Sequence, residues 1–106
     1  MHEFELRAIY AEALLVGFIV FCTTPDADGN YWIPALMIDE NHQGNGFGKQ
    51  AMVKLIDHLR RIGGTRLLIG HRPDNYIAGK LYESLGFQKV REEICDGEII
   101  RFLELD

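Results

Sequence analysis

Apolar and polar residues alternate over residues 4–11, which puts Phe4, Leu6, Ala8 and Tyr10 on one face of a strand. Residues 14–22 are apolar on both faces, the pattern of a central strand, reached through a tight Glu12-Ala13 connection. Thr23 to Asn30 interrupts the pattern with Pro25, Asp26, Asp28 and Gly29, a polar loop with turn chemistry. The next run, Tyr31-Trp32-Ile33-Pro34-Ala35-Leu36-Met37-Ile38, predicts a buried strand completing an antiparallel meander. Pro34 donates no ladder hydrogen bond, so it belongs at an edge, a bulge or a point where strands diverge.

The period then changes. Phe47, Ala51, Met52, Leu55, Leu59 and Ile62 form the stripe of a core-facing helix over 47–62, stopped by Gly63-Gly64 behind Arg60 and Arg61. Thr65 to His71 is the next strand, and a strand, helix and strand of these lengths imply a right-handed parallel crossover. After the Arg72-Pro73-Asp74 turn, Asp74 or Asn75 caps a short helix carrying Ala78, Leu81, Tyr82 and Leu85, which Gly86 ends. Asp96-Gly97 between Phe87–Ile94 and Glu98–Leu105 is a strong hairpin signal. The expected architecture is one α/β (α+β) domain over residues 1–106. It has a mixed, mostly antiparallel sheet, a strand-helix-strand crossover, a short second helix and a C-terminal hairpin.

The link between the third strand and the first helix, Gln43-Gly44-Asn45-Gly46-Phe47-Gly48-Lys49, carries the chemistry. Glycines allow close backbone approach, and the first amides of a helix lack intrahelical acceptors, so such a turn binds an anion, most often phosphate. A Walker loop ending at Gly48-Lys49 needs glycine at 43 and Ser or Thr at 50, where Gln43 and Gln50 stand. A dinucleotide fingerprint needs glycine at 49, where Lys49 stands.

Composition narrows the partners. At 106 residues with 47% hydrophobic and 25% charged content, the chain is one ordinary globular domain with a modest core. Its net charge of −5 argues against nucleic acid, which needs clustered Lys and Arg. Asp26, Asp28, Asp39 and Glu40 leave room for a cationic substrate, although a solvated acidic loop is the better account of them. No apolar run approaches the ~20 residues that cross a bilayer. The acidic start, Met1-His2-Glu3-Phe4-Glu5, is not that of a signal peptide, so a cytoplasmic location is expected. Cys22 and Cys95 are expected as free thiols, and His2, His42, His58 and His71 show no metal-ligand spacing.

The pattern that the loop does fit is Gln43-x-x-Gly46-x-Gly48, which resembles the pyrophosphate-binding loop of the GNAT N-acetyltransferases. Asn75-Tyr76-Ile77-Ala78-Gly79-Lys80-Leu81-Tyr82-Glu83-Ser84-Leu85-Gly86-Phe87 resembles that superfamily's second signature, in the order and at the distance expected. The likeness spans essentially the whole chain, as a GNAT domain without its usual opening strand and two helices. It is nearest to the small bacterial polyamine (diamine, spermine or spermidine) N-acetyltransferases.

The resemblance implies acetyl-coenzyme A as cosubstrate and a small-molecule primary amine, possibly a polyamine, as acceptor. The strand at 31–38 would splay from its parallel neighbour, and backbone groups of Leu36, Met37 and Ile38 would bond the pantetheine arm in the opening. The amide of Met37 or Ile38 would meet the developing oxyanion. Amides of Gly44, Asn45, Gly46, Phe47 and Gly48 would hold the pyrophosphate, with Gln43 ordering the loop and Lys49 adding charge. Asn75 would bond the arm through its side-chain amide, and Ala78 belongs to the same coenzyme-binding set. Tyr82 would be the general acid for the coenzyme sulfur. Glu5, Asp39, Glu40 or a water chain remain open as the base. Without covering helices the strand at Phe4-Glu5-Leu6-Arg7 is an unguarded edge beside bare apolar surface, and a homodimer through that region is expected. The alternative is an acetyl-coenzyme A-binding regulatory or interaction module without turnover.

Overall fold

The structure, a computed structural model, describes residues 3–95 and 97–105, with the backbone alone for 91–95. Strands β1 (Phe4–Ala11) and β2 (Leu14–Cys22) form an antiparallel pair, turning at Glu12 in the left-handed region (φ 57°). Strands β3 (Asn30–Ile33) and β4 (Ala35–Ile38) follow, and a short 3-10 helix, Glu40–His42, leads into helix α1 (Phe47–Arg61). Strand β5 (Arg66–His71), helix α2 (Tyr76–Ser84) and strands β6 (Gln88–Cys95) and β7 (Glu98–Glu104) complete the chain. The hairpin expected at Asp96-Gly97 is present as β6 and β7, and Asp96 itself lies outside the described residues.

The single strand expected over 31–38 is two strands in two sheets. One sheet runs β1-β2-β4 and the other β3-β5-β7-β6. Strand β3 pairs parallel with β5 from Asn30↔Arg66 to Ile33↔Ile69, whereas β4 pairs antiparallel with β2 from Gly17↔Ile38 to Val20↔Ala35. Only the second half therefore belongs to the meander. Pro34, between the halves, has no N–H for a ladder and a fixed φ, and of its three possible settings the chain uses divergence. Beyond Ile33 and Ile69 the sheets part, leaving a cleft between β4 and the end of β5.

One core holds the two sheets together. Ile19 and Phe21 of β2, Ile33 of β3 and Leu67 and Ile69 of β5 meet Met52, Leu55 and Leu59 of α1 and Tyr82 of α2. Both helices thus pack on the side that these residues face. The alternating face of β1 points away from that core. Phe4, Leu6 and Tyr10 are 57%, 65% and 61% exposed, and Ile9, on the opposite face, is the residue packed against the core. The apolar surface expected to be bare is bare.

Strand β2 is central in its sheet, as its apolar pattern required, and Gly17 within it is a steric necessity. A Cβ there would lie 2.2 Å from the carbonyl oxygen of Met37, so any side chain would push β4 away.

Candidate active site

The glycine loop leaves the end of β4 and turns into α1 through two residues in the left-handed region, Gly44 (φ 84°) and Gly46 (φ 80°). Gly46 is the N-cap and no side chain caps the helix. The first intrahelical bond runs from Gln50 N to Gly46 O at 3.0 Å, so the amides of Phe47, Gly48 and Lys49 have no helical acceptor. Three donors at the positive end of a helix dipole suit a diphosphate. The loop is held from below. Gln43 Nε2 donates to the Ile38 carbonyl at 3.0 Å, and Asn45 Nδ2 to the His42 carbonyl at 3.2 Å.

Strand β4 is the edge of its sheet, and its register fixes which backbone groups face the cleft. Asp39 N donates to Val16 O at 2.7 Å, which makes Asp39/Val16 and, two residues back, Met37/Phe18 hydrogen-bonded pairs. Met37 therefore spends its amide and carbonyl on β2. Leu36 and Ile38 turn theirs to the open side, where the Ile38 carbonyl takes the Gln43 bond and the two amides remain available.

Helix α2 supplies the other wall. Asn75 is its N-cap, its Oδ1 accepting from Ala78 N at 3.1 Å, which leaves the amide NH2 as a donor. Tyr82 is buried between the rings of His71 (centroids 5.9 Å apart) and Phe87 (5.8 Å). No described residue hydrogen-bonds its hydroxyl. Burial, helped by the negative charge of Glu98, pushes the phenol from 10.0 up to about 12. The phenol is therefore a firmly protonated donor at neutral pH.

Loop, strand and helix meet at Gly48. A Cβ there would touch Ile38 Cγ1 and Leu81 Cδ2, each at 3.6 Å, so the start of α1, the end of β4 and the tyrosine helix are neighbours. A recess of about 320 Å³ between β1, β2 and α1, lined by Ile9, Ile19, Phe21 and Leu55, lies elsewhere and includes neither Tyr82 nor Asn75.

The candidate bases have other occupations or positions. Glu5 pairs with Arg7 at 2.9 Å on the exposed edge strand, and Asp39 Oδ1 accepts from Asn41 N at 2.9 Å. Glu40 stands in the first turn of the 3-10 helix. Asp26 organises its own loop, taking the Trp32 indole N–H and the amides of Asp28 and Asn30, each at 2.9 Å. Those bonds, the indole's foremost, lower its pKa.

Two groups beside Tyr82 escaped the sequence reading. Arg101 of β7 (4% exposed) donates from Nε to His71 Nε2 at 2.8 Å and reaches Glu83 Oε1 from its Nη2 at 3.2 Å. Accepting at Nε2 makes His71 the Nδ1–H tautomer, which donates to the Arg72 carbonyl at 2.9 Å. The second is Glu98, on β7. Only the register of β5 against β7 reveals either, because nothing in the sequence says that 71 and 101 meet, as diagonal neighbours, across non-adjacent segments.

The site thus consists of a split sheet, an uncapped helix start on one side of the opening and a helix carrying a protonated phenol on the other, an arrangement compatible with an acyltransferase that draws on a coenzyme thioester. The comparisons agree. The family described as acetyltransferase (GNAT) matches residues 3–87. A spermine/spermidine N(1)-acetyltransferase from Bacillus subtilis (strain 168) is 33% identical over 110 residues, covering 98% of this chain and 72% of that protein. Among solved structures, PaiA N-acetyltransferase from Thermoplasma acidophilum, in complex with coenzyme A, superposes with TM-score 0.82 at 15% identity over 96% of this chain and 61% of that one. The ribosomal-protein-S18-alanine N-acetyltransferase from Escherichia coli does so with TM-score 0.80 at 22% identity, over 97% and 70%. The chain belongs to the GNAT acetyltransferase family, whose members use acetyl-coenzyme A as acetyl donor.

Proposed function

We propose that the chain acetylates a primary amine of the polyamine class by direct attack in the cleft between β4 and β5. The observation that carries this is the meeting at Gly48 of the uncapped start of α1, the Ile38 side chain at the end of β4 and the helix bearing Tyr82. Acetyl-coenzyme A supplies the acetyl group as a thioester; amides 46–49 and Lys49 would hold its pyrophosphate, and Leu36, Ile38, Asn75 and Ala78 its arm. Of the two oxyanion donors expected, Ile38 is the one whose amide faces the cleft. Tyr82 gives its proton to the departing sulfur. Support for a polyamine is the 33% identity to a spermine/spermidine acetyltransferase together with a net charge of −5. A turnover assay across polyamines, diamines and lysine peptides tests it. Binding of acetyl-coenzyme A with no amine acetylated would replace this reading by a coenzyme-binding module.

The loop makes its own prediction. Gly46→Val asks a β-branched residue to hold φ 80°, a strain of about 1–3 kcal/mol that the loop escapes by leaving its shape. No atom lies within 4 Å of the added Cβ, so the fold stands and only the amides move. Calorimetry should find coenzyme affinity reduced by about tenfold or more; unchanged affinity would remove the loop from the site.

A homodimer through β1 is part of the proposal, and its register follows from two independent constraints. Thr23 N bonds Glu3 O at 2.9 Å, so odd residues of β1 face β2, and Phe4, Leu6 and Ala8 offer their backbone groups to the outer edge. An antiparallel second copy that pairs those groups with Leu6 on the two-fold axis also sets Glu5 against Arg7 of its partner, twice. Shifting either way sets Glu5 on Glu5 or Arg7 on Arg7. Light scattering at micromolar concentration should give a dimer mass for wild type, less dimer for Glu5→Arg or Arg7→Glu, and recovery in the double swap. A monomeric wild type rejects the dimer, and indifferent single variants reject this edge.

A further inference from the structure

Strand β5 leaves β3 after Ile69, so Gly70 is its first residue with the cleft on that side, while β7 continues to pair with it on the other. Gly70 has no side chain, and the space above it is filled from β7. A Cβ on Gly70 would stand 2.9 Å from Glu98 Oε2 and 3.2 Å from Ile100 Cδ1. The register Gly70↔Ile100 puts Ile100 and Glu98 on one face of β7, two residues apart. His71 and Arg101 are on the opposite face, the one on which α2 packs its Tyr82. A carboxylate and a phenol thus flank the same strand end from its two sides. Glu98 is exposed, and among the described residues no cation lies within ion-pair distance of it.

We propose that Glu98 receives the ammonium group of the acceptor at the mouth of the cleft and takes its proton. This rests on the reading of the chain as an amine acetyltransferase and supplies the base that the sequence left open. An amine of Lys-like pKa is almost wholly protonated at pH 7, so a proton must leave before nitrogen can attack. The step balances without further reagents. The ammonium passes one proton through Glu98 to solvent, and the nitrogen lone pair forms the C–N bond to the acetyl carbon. The C–S bond then breaks, its electron pair going to sulfur, which takes the Tyr82 proton. The second proton on nitrogen leaves as the amide forms and restores Tyr82 through solvent. Because the carboxylate meets the ammonium itself, it selects cationic acceptors as well as deprotonating them.

The test compares wild type, Glu98→Gln, Glu98→Asp and a distant surface control, Glu104→Gln, with spermidine as acceptor. Glu98→Gln should lower kcat/KM by about a hundredfold while acetyl-coenzyme A affinity by calorimetry stays within about twofold. Glu98→Asp should recover part of the loss, and Glu104→Gln should match wild type. Ultraviolet titration, with Tyr82→Phe identifying the signal, should find the Tyr82 phenol ionising at lower pH in Glu98→Gln, a change that simple loosening of the hairpin tip would not give. An active wild type with an equally active Glu98→Gln removes Glu98 and leaves the acetyltransferase reading intact. Coenzyme affinity lost in step with activity also overturns the assignment, by making Glu98 a structural residue. A wild type that acetylates no amine removes both readings.

Discussion

Tyr82→Phe is expected to lower kcat for acetyl transfer by about 10²–10⁴-fold, the range for loss of a positioned general acid. The substitution deletes one oxygen that no described residue bonds, so the packing against His71 and Phe87 persists and coenzyme affinity should barely change. Loss in kcat without loss in binding is the signature of an interaction made as the thiolate departs. The phenol also couples to stability. Its folded pKa is raised from 10.0 to about 12, so its contribution is complete below pH 10 and is lost as pH rises toward 12. Relative to wild type, the Phe variant should therefore gain stability between pH 10 and pH 12, which denaturant melts at pH 9 and pH 11.5 would read. Unchanged turnover in Tyr82→Phe would end the direct-attack mechanism.

Arg101→Met is expected to cost about 2–4 kcal/mol of stability, mostly from the side chains it strands. Arg101 and His71 are 4% and 6% exposed, and the guanidinium is the partner of His71 Nε2. A thioether fills much of the volume but donates nothing, which leaves a buried imidazole acceptor unsatisfied. The Glu83 end of the network should matter far less. Its carboxylate side chain is 59% exposed, where an ion pair contributes about 0–1 kcal/mol. Glu83→Gln is accordingly the internal control. Urea unfolding with unchanged m-values measures both variants, and a small effect at Arg101 would mean that water replaces the guanidinium. Because the His71 ring packs on Tyr82, Arg101→Met should also reduce turnover in whatever fraction stays folded.

The loop and the tyrosine helix were legible because their information is local. Gly44 and Gly46 mark left-handed backbone in the sequence itself, and the apolar stripe from Phe47 sets the face of α1. A cap at Asp74 or Asn75, of which the structure uses Asn75, and the position of Tyr82 on the inner face of α2 follow from local spacing. The third strand was less legible. Its eight residues look continuous to any periodicity, and Pro34 allows three outcomes of which only strand pairing selects one. Whether Met37 or Ile38 offers its amide was likewise undecidable, because the answer depends on which of them pairs narrowly with β2.

From its residues alone this chain determined the order of its elements apart from the split of the third strand, the left-handed glycine turn before α1 and the helix that carries Tyr82. Each of these is a matter of backbone preference or of side-chain spacing within one segment. Only the tertiary structure decided that the sheets part at Pro34, that His71 meets Arg101 across 30 residues, and that Glu98 fills the space Gly70 leaves open. Those contacts are set by strand register between distant segments, where a shift of one residue would turn every side chain to the other face.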